Sequence, residues 1–164
     1  GGAGDWLGSE MAGGVVRVGG SVGDHAGGAL PGSRRGMRGG ALLVDGDAGA
    51  WLGAGMRRGF IAAGGDVGAA LGARMLAGTI LVWGRCGQLP GIDMLRGTIG
   101  LFGPTPAVPA TFLDGGAAAM PMAPLLAREL ERLNFSRRIP EQSTWRILHG
   151  DAAGGARGEV LVVA

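Results

Sequence analysis

The chain has 164 residues, a formal net charge of +2 and 37 glycines; this bounds it to one domain and argues against helix, where each interior glycine costs about 0.8–1 kcal/mol relative to alanine. All 15 basic residues are arginine and 13 acidic residues nearly balance them, so charge alone points to no nucleic-acid partner. The single cysteine, Cys86, excludes an internal disulfide or a cysteine-based metal cluster, and no signal-peptide pattern or 18-residue apolar run suggests secretion or a membrane; the expected setting is cytoplasmic.

From its start the chain repeats a 19-residue unit, G-x3-G-x2-M-x2-G-x-[VLI]-x3-G-x2. The second glycine and the methionine of successive units are Gly8 and Met11, Gly27 and Met37, Gly53 and Met56, Gly72 and Met75, Gly91 and Met94. An aliphatic follows in each: Val16, Leu42, Ile61, Ile80, Ile99. Only the second unit departs, with seven extra residues between Gly27 and Met37. Gly1 stands where the closing glycine of an earlier unit falls, so we expect the C-terminal part of a longer array or an end covered by another subunit.

A fixed short period is the mark of a solenoid, and helical repeats need 33 or more residues. Glycine at fixed corners suits a chain that turns sharply, because glycine enters φ > 0 freely. Between corners, Val15–Val18, Ala41–Val44 and Thr79–Val82 alternate like strands, with Val16 and Val18, Leu42 and Val44, Ile80 and Val82 on one face. Stacked coil on coil, the methionines form an inward ladder, a use suited to their unbranched shape. The expected fold is an all-β solenoid over residues 1–103, a right-handed parallel β-helix of ~19-residue coils.

Two features of these coils suggest contacts. Leu43, Phe60 and Leu81, flanked by Trp83 and Phe102, occupy outward strand positions; either they form a partner surface or the rest of the chain covers them. Arg34, Arg35, Arg38, Arg57, Arg58, Arg74 and Arg96 cluster near the methionine corner, giving a cationic edge that is either solvated or an anion site. The insertion around Ala29–Arg35 is a second candidate contact, since insertions map to loops on one face of a solenoid.

Pro104, Pro106 and Pro109 end the regular array. Residues 104–164 are expected to form a linker, an amphipathic helix over 124–133 with Leu126, Leu130 and Leu133 on one stripe, and a final strand over 159–163 running back beside the coils. The helix is placed to cap the coils or pack along their side.

No catalytic constellation emerges. His25 and His149 have no metal-ligand spacing to a carboxylate, and Ser9, Ser21, Ser33, Ser136 and Ser143 lie in no nucleophile motif. Asp5 and Asp24 share a slot, but later units carry Ala50, Ala69 and Gln88 there, so a calcium-binding aspartate ladder is not expected.

The stretches Gly23–Gly32, with its Leu-Pro-Gly, Gly36-Met-Arg-Gly-Gly40, and Gly84-Arg-Cys-Gly-Gln-Leu-Pro-Gly91 resemble the C-type subunits of formylmethanofuran dehydrogenase and of the bacterial formyltransferase/hydrolase complex. The likeness covers residues 1–103 and extends loosely into the tail. It implies a β-helix that scaffolds amidohydrolase-like, molybdopterin-type and formyltransferase subunits in the one-carbon oxidation of formaldehyde to formate. It also implies no cofactor in this chain, with a methanofuran-type cofactor and metals in the partner subunits. No family catalytic residue maps onto this sequence. The arginine-only composition favours the bacterial version. A related glycine-repeat domain closes the large subunit of glutamate synthase, which is the alternative; a third reading is an independent module whose arginine edge binds an anionic polymer such as a polyglutamate tail.

Overall fold

The computed structural model describes residues 1–140 and 144–163, so Ser143 lies outside the described residues. Each repeat contributes one strand: β1 (Ala12–Val18), β2 (Arg38–Val44), β3 (Arg58–Ala63), β4 (Thr79–Val82) and β5 (Arg96–Leu101). These pair in parallel and in chain order, with Val16, Leu42, Ile61, Ile80 and Ile99 in register across five rungs. A second row of parallel bridges joins Ala3, Val22, Ala48, Val67 and Cys86, each two residues after a closing glycine. Among the described residues the chain is mostly β, in one sheet of eight strands that is not closed.

Between these two rows lies an apolar core. Met37, Met56, Met75 and Met94 are fully buried in it, together with Leu42, Ile61, Ile80 and Ile99. Met11, Val16 and Leu7, on the first rung, are only partly buried against it. The unbranched thioethers fit a narrow space: the methyl of Met56 packs where Gly78 leaves room, and that of Met75 does so at Gly97.

The repeated glycines turn out to serve two separate needs. Those before and after the methionine do enter the left-handed region, as Gly53 (φ 67) and Gly59 (φ 109) show. The first and closing glycines of each unit do not. Their requirement is room, because a Cβ on Gly46 would sit 2.8 Å from the carbonyl carbon of Gly20 on the rung below. Conversely, left-handed corners fall on residues other than glycine: Trp6, His25, Trp51, Ala70 and Leu89, two residues after each first glycine, have φ between 57 and 63. Glycine's freedom of φ thus accounts for two of the four repeated glycine slots, and the first and closing glycines answer to crowding instead.

The last residues return to the sheet. Strand β8 (Arg157–Val163) lies parallel to β5 with the repeat register kept, Arg96 beside Arg157 and Ile99 beside Val160. The expected final strand is thus a sixth rung. Two strands not expected from the sequence complete the sheet: β6 (Leu113–Ala119), which is alanine- and glycine-rich, and β7 (Thr144–Gly150), antiparallel neighbours. The helix α1 spans Ala123–Arg132, within a residue of expectation, with Pro124 in its first turn. Phe112, Leu148 and Val160 join the coil core beside Met94 and close its end.

Asp151 fastens this closure. It is 2% exposed; its Oδ2 accepts from the Asp93 N–H at 3.0 Å and its Oδ1 from the Ala153 N–H at 3.1 Å, while its own N–H donates to Met94 O at 3.2 Å. Burial pushes its carboxyl pKa up, but bonds from Asp93, Thr111 and Ala153 outweigh this and hold it below the ordinary 3.8. A depressed folded pKa stabilises the fold fully above the unfolded value and loses that stabilisation as pH falls through the folded one. Asp151→Asn is therefore expected to be less stable than wild type at neutral pH, with the difference narrowing below about pH 4. Urea unfolding at pH 7 and pH 3 checks this; an equal difference at both would show that the carboxylate charge has no part.

Candidate functional site

On the outer face of the sheet, Leu43, Phe60 and Leu81 do not form an exposed partner surface. They are 0%, 7% and 0% exposed. The tail covers them: Leu126, Leu130, Leu133, Phe135, Trp145 and Leu161 pack against this face. Outward strand positions are apolar here because the sheet is buried on both faces, which removes the usual polar alternation. Trp83 stacks on Phe102 at 4.5 Å, and its indole N–H donates to Arg138 O at 2.9 Å.

A second region of the coils is partly exposed, at Trp6, His25 and Trp51. The left-handed slot two residues after each first glycine puts flat side chains on successive rungs, and the rings stack. Trp6 lies 4.1 Å from His25 at an interplanar angle of 4°, and His25 lies 5.9 Å from Trp51 at 13°. The Arg74 guanidinium extends the column, its Cζ 5.8 Å from the centre of the Trp51 ring. A left-handed backbone at His25 and Trp51 holds these rings, and each of their N–H groups donates to the next rung, His25 to Ala50 O and Trp51 to Ala69 O, both at 2.8 Å.

The insertion forms a wall beside this column. It leaves the coil at Ala29, whose N–H donates to Ala54 O at 3.1 Å, and rejoins at Gly36, whose N–H donates to Gly55 O at 2.8 Å. Met37 thereby keeps its place in the core. Between the wall and the ring column lies a groove of about 690 Å³ lined by Trp6, His25, Leu30, Pro31, Arg34 and Arg74, among others. That volume falls within the ordinary range for binding clefts. Leu30, Leu89 and Leu95 on this side are 41%, 45% and 43% exposed.

Arg34 and Arg74 line this groove, and other arginines recur in register on the strands. Arg38 and Arg58 are register partners on adjacent strands, and Arg96 is the partner of Arg157. Arg34, Arg35, Arg57 and Arg74 are exposed as well. Ion pairs among the described residues involve Arg17, Arg132, Arg138 and Arg146, and none of the corner arginines.

The other candidate residues have structural uses. Asp5 and Asp24 cap backbone: Asp5 Oδ1 accepts from the Asp24 N–H at 2.8 Å and Asp24 Oδ1 from the Ala50 N–H at 2.7 Å. Asp47 and Asp66, in a neighbouring slot, do the same for the N–H groups of Asp66 and Arg85. Among the described residues no group of three or more His, Cys, Asp or Glu could hold a metal ion. Cys86 is 4% exposed and burial pushes its thiol pKa up to about 12, so the thiolate is not the resting form. No helix of the described residues is long and apolar enough to cross a membrane.

No family profile matches the chain, and no curated protein sequence matches it. Among solved structures, a chain of the formyltransferase/hydrolase complex (FhcABCD) from Methylorubrum extorquens, crystallised in complex with methylofuran, superposes with a TM-score of 0.89 at 38% sequence identity. The match covers 99% of this chain and 62% of that one. In fold and in sequence, the protein is thus similar to the corresponding 62% of one chain of a formyltransferase/hydrolase complex.

Proposed function

We propose that this protein is a non-catalytic structural component, of the C type, in a formyltransferase/hydrolase complex of one-carbon metabolism, and that its repeat units stack as a right-handed parallel β-helix. The observation that carries the reading is 38% identity maintained over 99% of the chain to a component of such a complex. Two parallel rows, one of strands and one of bridges, support the β-helix: both advance by 19 residues per rung and both by 26 across the insertion, since each turn of such a helix passes both rows once.

A scaffold role fits what the side chains offer. The buried thiol is protonated, the aspartates of the turns cap backbone, and the two histidines sit apart on a ring column and a tail strand. Chemistry then belongs to formyltransferase, amidohydrolase-like and molybdopterin-type partner subunits, which also carry the methanofuran-type cofactor and the metals. We place the assembly in the cytoplasm, converting a formyl group to formate. Co-expression with the formyltransferase and hydrolase subunits of such a complex, followed by size-exclusion chromatography, tests this. The expected result is one stoichiometric assembly with formyl-transfer activity. A chain that elutes alone while the other subunits assemble without it overturns the proposal.

A further inference from the structure

We infer that the groove between the insertion and the ring column is the docking site for a partner subunit that inserts an apolar side chain and rings it with carboxylates; this rests on the scaffold reading above. The tail already covers the outer sheet face, whereas Leu30 and Leu95, which line this groove, are left 41% and 43% exposed. An anchor of one or two side chains fits a cleft of about 690 Å³. Trp6 and His25 supply rigid, preoriented area at small entropic cost, backed by Trp51 stacked behind His25, and aromatic residues with arginine carry most energy in protein interfaces.

Charge selects the partner. Arg34 and Arg74 line the groove with Asp93 as the acid among its lining residues; Arg35 adjoins Arg34 in the insertion and Arg57 follows the lining Gly55 by two residues, and all four arginines lack an ion pair within the described residues. A partner surface bearing carboxylates gains bidentate guanidinium contacts without breaking any existing pair. The insertion is anchored at both ends by bonds to Ala54 and Gly55, so it presents Leu30 and Arg34 on a fixed wall.

The test measures binding of the full chain to purified formyltransferase and hydrolase subunits of such a complex across a salt series. Arg34→Glu combined with Arg74→Glu is expected to weaken binding roughly 10- to 100-fold at low ionic strength, with the deficit shrinking as salt rises. Leu30→Ser is expected to weaken binding roughly 10-fold at every salt concentration, because it removes apolar contact. Arg128→Glu, on α1 away from the groove, is the control and should bind as wild type. Wild-type binding with unchanged affinity in both groove variants overturns the docking site and leaves the scaffold reading standing. Failure of the wild-type chain to bind overturns both. A single-stranded RNA probe that occupies the groove and blocks the protein partner also overturns the docking site, since stacked rings and arginine can serve bases as well.

Discussion

Gly84→Ala is expected to destabilise the fold by about 3 kcal/mol, at the upper end of the range for overpacking a core. Nothing about φ requires glycine there, because Gly84 is not in the left-handed region. The requirement is the neighbouring rung: an added Cβ would meet the carbonyl carbon and oxygen of Gly65 and the backbone nitrogen of Asp66, all closer than real Cβ atoms come. Those are backbone atoms of the preceding coil, held by the Gly84 N–H bond to Gly65 O at 3.1 Å, so they cannot rotate aside as a side chain could. Gly103 stacks on Gly84 in the same way. Relief therefore means spreading three successive rungs. Gly13→Ala provides the contrast. Gly13 lies in β1 with open space around its Cβ position and no positive φ, so alanine should be neutral or stabilise by up to about 1 kcal/mol through the unfolded state. Urea titrations of both variants measure the difference. Equal midpoints would mean that the stack accommodates a methyl and that the closing glycines are not fixed by inter-rung crowding.

That crowding explains why so much of this fold can be read from residues alone. A rung spaced by about 4.8 Å from its copy imposes the same local demand every 19 residues, so Gly46, Gly65, Gly84 and Gly103 recur in one slot and Met37, Met56, Met75 and Met94 in another. The five coil strands and the inward faces of Leu42, Ile61 and Ile80 follow from that period. The tail has no period to read. Leu113-Asp-Gly-Gly-Ala-Ala-Ala carries little strand propensity, and β6 exists because β7 offers it an edge and Arg146 pairs with Asp114 at 2.8 Å. The burial of Leu43 and Leu81 is likewise decided by partners more than 40 residues away. The groove is half legible: the insertion stands out, but the ring column does not, because its slot changes residue type along the coils, from Trp6 and His25 through Trp51 to Ala70 and Leu89. Aligning the slot two after each first glycine reveals it, since flat side chains on adjacent rungs are bound to stack.

Trp145→Ala is expected to cost about 3–5 kcal/mol, the range for removing a buried Trp or Phe side chain, and so to take a large share of the 5–15 kcal/mol that holds most domains folded. Trp145 is 1% exposed, sits on β7 between Ala118 and Val163, and meets Phe102 edge-on at 5.0 Å. Phe102 in turn stacks on Trp83, which leans on Phe135 at 5.6 Å. One indole thus ties the tail hairpin to rings from the fourth and fifth coils and to the segment after α1. Without it the outer cluster has a cavity that backbone paired on both sides cannot collapse to fill. The weakening should fall on the tail before the coils, because the methionine core makes no contact through Trp145. Hydrogen exchange read by mass spectrometry distinguishes the two layers: protection in β6, β7 and α1 should drop well before that in β2 and β3. Exposure of Leu43, Phe60 and Leu81 should follow, seen as binding of an apolar dye and as self-association. Trp145→Phe, which keeps a ring against Phe102, should retain most of the protection. Uniform loss of protection across both layers would mean that the tail and the coils unfold as one cooperative unit, with the outer cluster as necessary to the sheet as the methionines inside it.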